Sequence, residues 1–151
     1  MMTLEEFKKK QSDKSRLLGL DLGSKRIGVS ICDEKQLIAT PFKTIIRSTA
    51  DELINEIKNL INENNIKGII VGNPLNMDGS SGRSAQSVKD TTENIEKNLD
   101  IPICLWDERL STVGAFNLSS QLDINVSKRE KKIDENAAAF ILQGALDFLN
   151  N

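Results

Sequence analysis

The sequence predicts an α/β fold: a mixed five-stranded sheet, three antiparallel strands followed by parallel ones, with helices on both faces. Three observations carry that expectation. Short apolar runs open the chain, separated by polar links that suit hairpins rather than crossovers. Past Ile46 the apolar period changes from that of a strand to that of a helix. From there apolar runs alternate with helical stretches, and strand–helix–strand crossovers imply parallel pairing.

Leu17–Leu22 is an apolar run closed by Gly23-Ser24, and Ile27–Cys32 follows it. Asp33-Glu34-Lys35 is a polar break before a third run, Leu37 to Ile46. Pro41 cannot donate to a ladder, so this strand is expected at an edge or at a bulge. Thr49 and Glu52 have the spacing of a capping box. Leu53, Ile57, Leu60 and Ile61 then recur at helical spacing until Asn64-Asn65 ends the stripe. Gly68–Val71 reads as a buried strand, Gly72–Ser84 as a Gly- and Ser-rich loop, and Ala85–Leu99 as a polar helix. Ile101–Trp106 is the fifth strand. A helix near Ser111, a basic loop from Asp123 to Lys132 and an apolar helix from Asp134 to Leu149 complete the chain. This order of elements is that of ribonuclease-H-like proteins, and by itself it determines no activity. Residues 1–16 are expected to be a lysine-rich leader and 17–151 a single domain.

The bulk properties narrow the chemistry. At 151 residues, with 38% hydrophobic and 28% charged residues, the chain has an ordinary globular composition. No apolar run approaches the roughly 20 residues needed to cross a bilayer, and the polar start lacks a secretory h-region. A cytoplasmic protein without membrane partners is expected. Cys32 and Cys104 lie inside apolar runs without CxxC spacing and read as reduced core residues. The chain has no histidine, which excludes Ser-His-Asp and Cys-His triads and His-bound zinc. Hydrolysis would have to run on carboxylates, with a hard metal ion held through oxygen. A formal charge of -2 gives no global attraction for nucleic acid, so a nucleic-acid partner requires a local basic surface.

Acidic residues occur at three informative places. Asp21 ends an apolar strand, where a carboxylate is costly unless paired or bound to a cation. It reads either as a turn residue feeding Gly23-Ser24 or as a metal ligand on a rigid strand. Asp107 and Glu108 follow the strand ending at Trp106, at the end of a parallel sheet where sites collect. Strand alternation aims only one of the two at such a site. Trp106 itself reads as core rather than as a stacking platform. Asp134 opens the last helix and suits an N-cap, while Ala137, Ala138 and Ala139 let that helix approach the sheet and bring Asp134 toward Asp21. Carboxylates gathered from three elements repel one another unless a cation neutralises them. Two Mg2+ or Mn2+ ions about 3.5–4 Å apart would activate water and stabilise a leaving oxygen in phosphodiester cleavage.

The basic residues supply the other half of that chemistry. Lys25 and Arg26 follow Asp21, Lys128, Arg129, Lys131 and Lys132 precede Asp134, and Arg83 and Arg109 lie in loops. All are candidate phosphate contacts, with a solvated surface as the bland alternative. The loop from Gly72 to Ser84 lacks a Gly-Lys-Ser/Thr and is not a Walker A loop. Asn76 and Ser81 in it are candidates for backbone contact.

The stretches Gly19–Val29, Val71–Ser80, Asp107–Thr112 and Asp134–Ala138 together resemble the bacterial YqgF family, in the same order and over nearly the whole of residues 17–149. Members are described as candidate Holliday-junction resolvases or as candidate nucleases maturing the 5′ end of pre-16S ribosomal RNA. Asn73 departs from the apolar residue found in many members, at no catalytic position. The resemblance implies a ribonuclease-H-like fold and a part in ribosome biogenesis. It matches the family's acidic positions to Asp21, Glu108 and Asp134, with Asp107 in the same motif as an alternative ligand. Processing of precursor ribosomal RNA is the favoured expectation, branched DNA the alternative, and a non-catalytic RNA-binding assembly factor a third. Cutting both strands of a junction calls for a symmetric pair, and the sequence is compatible with monomer or homodimer.

Overall fold

Leu17–Leu22 (β1), Arg26–Cys32 (β2), Ala39–Ile46 (β3), Gly68–Asn73 (β4) and Ile103–Asp107 (β5) form one sheet in the order β3-β2-β1-β4-β5. β1 pairs antiparallel with β2, and β2 with β3; β4 runs parallel to both β1 and β5. This is the expected mixed five-stranded sheet. The structure is a computed structural model that describes residues 1–10, 15–76, 78–107 and 126–151, with backbone alone from 126 to 133. Its helices are Leu4–Lys10 (α1), Ala50–Asn64 (α2), Arg83–Lys97 (α3) and Val126–Leu149 (α4). The helix expected near Ser111 lies outside the described residues.

Strand alternation divides the core into two layers. Leu18, Leu20, Ile27, Val29, Ile69, Val71 and Ile103 face α2 and α3, packing on Leu53, Ile57, Val88 and Ile95. Leu17, Cys32, Ile70 and Cys104 face the other way, onto Ile141, Leu142, Ala145 and Leu146 of α4. The lysine-rich start also contributes to this second layer. Phe7 of α1 is fully buried, and its ring covers Gly68, where an added Cβ would meet it at 2.7 Å.

The local signals act as their chemistry requires. Thr49 caps α2 by accepting a hydrogen bond from the Glu52 amide at 3.2 Å, and the Glu52 carboxylate bonds the Ser48 hydroxyl. Asn65 ends that helix in the left-handed region, at φ 54°. β3 is an edge strand, and the register shifts where Val29 pairs with Lys43 but Ser30 pairs with Pro41. Phe42 is therefore the extra residue of a bulge beside the proline.

One expectation is overturned. The last helix begins at Val126, not at Asp134, so Asp134 sits about two turns inside it and is not its N-cap. Ser127-Lys128-Arg129-Glu130-Lys131-Lys132 is polar, yet it holds no glycine or proline and consists mostly of good helix formers. High charge alone suggests a loop, but the helix propensity of these residues prevails. Lys128, Arg129, Lys131 and Lys132 consequently belong to the first turns of α4.

Both thiols are buried, and burial pushes Cys32 up to about 11 and Cys104 to about 12. At pH 8 almost none of either is thiolate, the nucleophilic form. Ellman's reagent at that pH should label neither cysteine in the folded protein and both in urea. Rapid labelling of native protein would contradict this packing.

Candidate active site

The α4 face of the sheet carries Asp21. It alternates with Leu17 and Gly19, on the side where a Cβ at Gly19 would meet Leu142 and the Ala138 carbonyl. Asp21 is half-buried at the carboxyl end of β1, and its partner across the antiparallel ladder is Gly28 of β2. Directly opposed residues share a face, with Cα atoms about 4.5–5.5 Å apart. Gly28 is where α4 touches down. A Cβ there would lie 2.0 Å from the Asp134 carbonyl oxygen and 3.2 Å from its Cα. The Ser30 hydroxyl donates to the Ala138 carbonyl at 2.7 Å one turn further along. Small residues on both surfaces thus bring the backbone of Asp134 onto β2, the strand paired with β1 at Asp21.

Arg26, expected to hold phosphate, is engaged within the site. Its Nε donates to Asp134 Oδ2 at 2.7 Å, an ion pair whose side chains are 33% and 19% exposed. A charge-assisted bond this short orients the carboxylate. Glu135 accepts from the Thr44 hydroxyl at 3.3 Å, which anchors the same turn of α4 to β3.

Asp107 stands elsewhere. It pairs with Asn73 and alternates with Ile103 and Leu105, whose layer is the α2/α3 side, whereas Cys104 and Trp106 face α4. Asp107 and Asp21 therefore belong to opposite faces of the sheet. Glu108 and Arg109 lie outside the described residues. Among the described residues no group of three or more His, Cys, Asp or Glu side chains could hold a metal. Asp21 and Asp134 are carboxylates, the donor type a hard divalent ion takes, and the Asp134 backbone rests on the residue paired with Asp21, but a full ligand set needs a further residue.

A second feature opens at the carboxyl ends of β1 and β4: a cleft of about 410 Å³ lined by Asp21, Gly23, Ser24, Arg47, Arg83, Ser84 and Ser87, among others. Arg83 and Ser84, the first residues of α3, are exposed along it, and Lys25 is exposed in the adjoining turn. Asn76 and Ser81 lie in the loop before α3, which is internally organised. Asn76 Nδ2 donates to the Ser80 hydroxyl at 3.0 Å, and Asp78 accepts from the Ser80 amide at 2.9 Å. Arg47 was not anticipated. Only the alternation of its strand could have placed it near the turn after Asp21, and the bulge at Phe42 breaks that alternation.

Comparison with known proteins places this architecture. A family model described as "RuvX: Holliday junction resolvase" matches residues 15–148. This chain belongs to the RuvX (YqgF) family. A relative from Pelagibacter ubique, named "Putative pre-16S rRNA nuclease", is 72% identical over 151 residues, the whole of both chains. A second with that name, from Chelativorans, is 43% identical over 99% of this chain and 93% of its own. Among solved structures, the yeast mitochondrial Holliday junction resolvase superposes with a TM-score of 0.55 at 15% identity, covering 97% of this chain and 84% of that one. Thermus thermophilus RuvC in complex with a Holliday junction does so at 0.52 and 14%, covering 87% and 93%. At those identities the structural matches speak for the fold, which is ribonuclease-H-like.

The chain needs a glycine at position 28 for α4 to reach the sheet. Gly28→Ala places a methyl against backbone, which cannot rotate away, so α4 must lift. Overpacking of this kind costs about 1–3 kcal/mol. Urea unfolding should show a loss of that size, and unchanged stability would mean that α4 does not rest on β2 here.

Proposed function

We propose that this RuvX-family protein is a metal-dependent nuclease that hydrolyses phosphodiester bonds in structured RNA, with maturation of the 5′ end of pre-16S ribosomal RNA in the cytoplasm as its task. The observation that carries the reading is the meeting of Asp21 and Asp134 at one rim through Gly28. Two separate elements bring these acidic residues to neighbouring strand positions. Membership in a nuclease family supports the activity, and the names of the 72% and 43% identical relatives support the RNA substrate.

Asp21, Asp134 and Glu108 would hold one or two Mg2+ or Mn2+ ions. Glu108 is chosen over Asp107 because Asp107 alternates onto the face away from Asp21. Such ions supply an activated water and a Lewis acid for the leaving oxygen. The chain's own contribution is positional. β1 is buried on both sides, so Asp21 is fixed by its strand. Arg26 fixes the Asp134 carboxylate and offsets part of its charge. Lys25, Arg83, Arg109 and the basic first turns of α4, with Lys128, Arg129, Lys131 and Lys132, would hold backbone phosphates, as would Asn76 and Ser81 through hydrogen bonds. Burial of Asp134 beside a guanidinium also explains why a carboxylate inside a helix is tolerated without a capping role.

Resolution of four-way DNA junctions is the second reading, favoured by the description of the family model. It requires two copies, since both strands must be cut symmetrically. The two readings separate in one assay. Purified protein with Mn2+ is offered a precursor 16S 5′ leader RNA and a four-way DNA junction, and its mass in solution is measured. Cleavage of the RNA by a monomer supports the first reading, and paired cuts in the junction by a dimer support the second. Asp21→Asn should abolish cleavage while leaving binding nearly intact. A variant that cuts as fast as the native chain removes Asp21 from the site. Binding without cleavage of either substrate would leave an RNA-binding assembly factor.

A further inference from the structure

We propose that the cleft at the carboxyl ends of β1 and β4 is a backbone-phosphate subsite whose central cation is Arg47, a residue outside the acidic rim. The proposal rests on the nuclease reading for the identity of its ligand, a nucleic-acid strand. Arg47 follows β3 directly, and its amide donates to the Lys25 carbonyl at 2.9 Å, continuing the ladder past the strand's end. Its guanidinium reaches across the sheet end in two directions. Nη1 donates to the Gly23 carbonyl at 2.9 Å and Nη2 to the Thr91 hydroxyl at 2.9 Å. The group is thereby clamped between the turn after Asp21 and the third turn of α3.

Those two bonds use two of the five N–H donors of a guanidinium. Neither acceptor is charged, and among the described residues no carboxylate forms an ion pair with Arg47. A guanidinium stays charged at any physiological pH, so a half-buried one without a direct ion-pair partner adds positive potential to the surfaces it lines. Arg47 lines the 410 Å³ cleft and also two adjoining hollows that carry Glu52, Glu56 and Asp90; of the three, the cleft alone adds the hydroxyls of Ser24, Ser84 and Ser87 and the exposed guanidinium of Arg83. Arg83 likewise has no ion-pair partner among the described residues. Asp21 is the one acidic residue of the lining. Two cations, three hydroxyls and a rigid clamp suit a phosphate. The volume exceeds that of a single phosphate and suits a unit of a strand, which would leave the cleft past Asp21 toward the rim shared with Asp134.

The clamp and the charge make separable predictions. Binding of a fluorescein-labelled RNA hairpin is followed by anisotropy in EDTA over a series of KCl concentrations, for the native chain, Arg47→Gln, Arg47→Lys and Arg83→Gln. Each lost phosphate contact lowers the slope of log affinity against log salt by about 0.7–0.9. Arg47→Gln should lower it by that amount and weaken binding near 0.1 M salt by about five- to tenfold. Arg47→Lys keeps the charge and should keep the slope even where its melting temperature falls. Arg83→Gln breaks no internal bond, so it tests the cleft without disturbing the fold, and it should lower the slope similarly. Slopes unchanged in both glutamine variants would overturn the subsite, leaving Arg47 a structural clamp. ATP that displaces the hairpin and is itself lost with Arg47→Gln would also overturn it, because the cleft would then be a nucleotide site. Lowered slopes in a protein that cleaves nothing with Mn2+ would keep the subsite and remove the nuclease reading instead.

Discussion

The close seating of α4 on β1 and β2 is the constraint from which the rest of the site follows. Two glycines, Gly19 and Gly28, present bare backbone to that helix, and Ala138 and its neighbours answer with small side chains. The hydrogen bond from Ser30 to the Ala138 carbonyl then fixes how far along the sheet the helix lies. Larger side chains at these positions would hold the helix away from the strand backbone. Here the backbone of Asp134 is in contact range of Gly28, and the ladder places Gly28 opposite Asp21. The approach of Asp134 to β2 beside Asp21 is a consequence of packing by small residues.

Bringing a carboxylate into such a seam has an electrostatic cost, and Arg26 is the local answer. Its guanidinium lies on the same face as Gly28 by strand alternation, and it meets Asp134 at 2.7 Å. The pair is partly solvated, so its contribution to stability is modest. Its larger consequence is orientation, since one oxygen of Asp134 is held and the direction of the other is thereby set.

The two faces of the sheet divide the labour. Asp21 and Asp134 occupy the α4 side, while Arg47 and Arg83 line the cleft beside α3 and the turn after β1. Asp21 belongs to both places, because it lies at the end of the strand that separates them. Acidic and basic side chains thus meet in both places, Arg26 beside Asp134 and Asp21 beside the arginines of the cleft. A net charge of -2 conceals this arrangement entirely.

Local chemistry made much of the fold legible. Thr49 and Asn65 bound α2 because a hydroxyl cap and a left-handed asparagine act within a few residues, and Pro41 marked an edge and a bulge because a missing N–H is a property of one residue. The absence of histidine excluded catalytic triads and zinc sites built on it, and the spacing of four motifs pointed to the family. The placement of Asp134 inside a helix, its bond to Arg26 108 residues away in sequence, and the clamp by Arg47 on Gly23 and Thr91 came only with the tertiary structure. Each depends on which face a residue occupies and on how closely two elements approach, and those are set by the packing of distant small side chains, which no local pattern records.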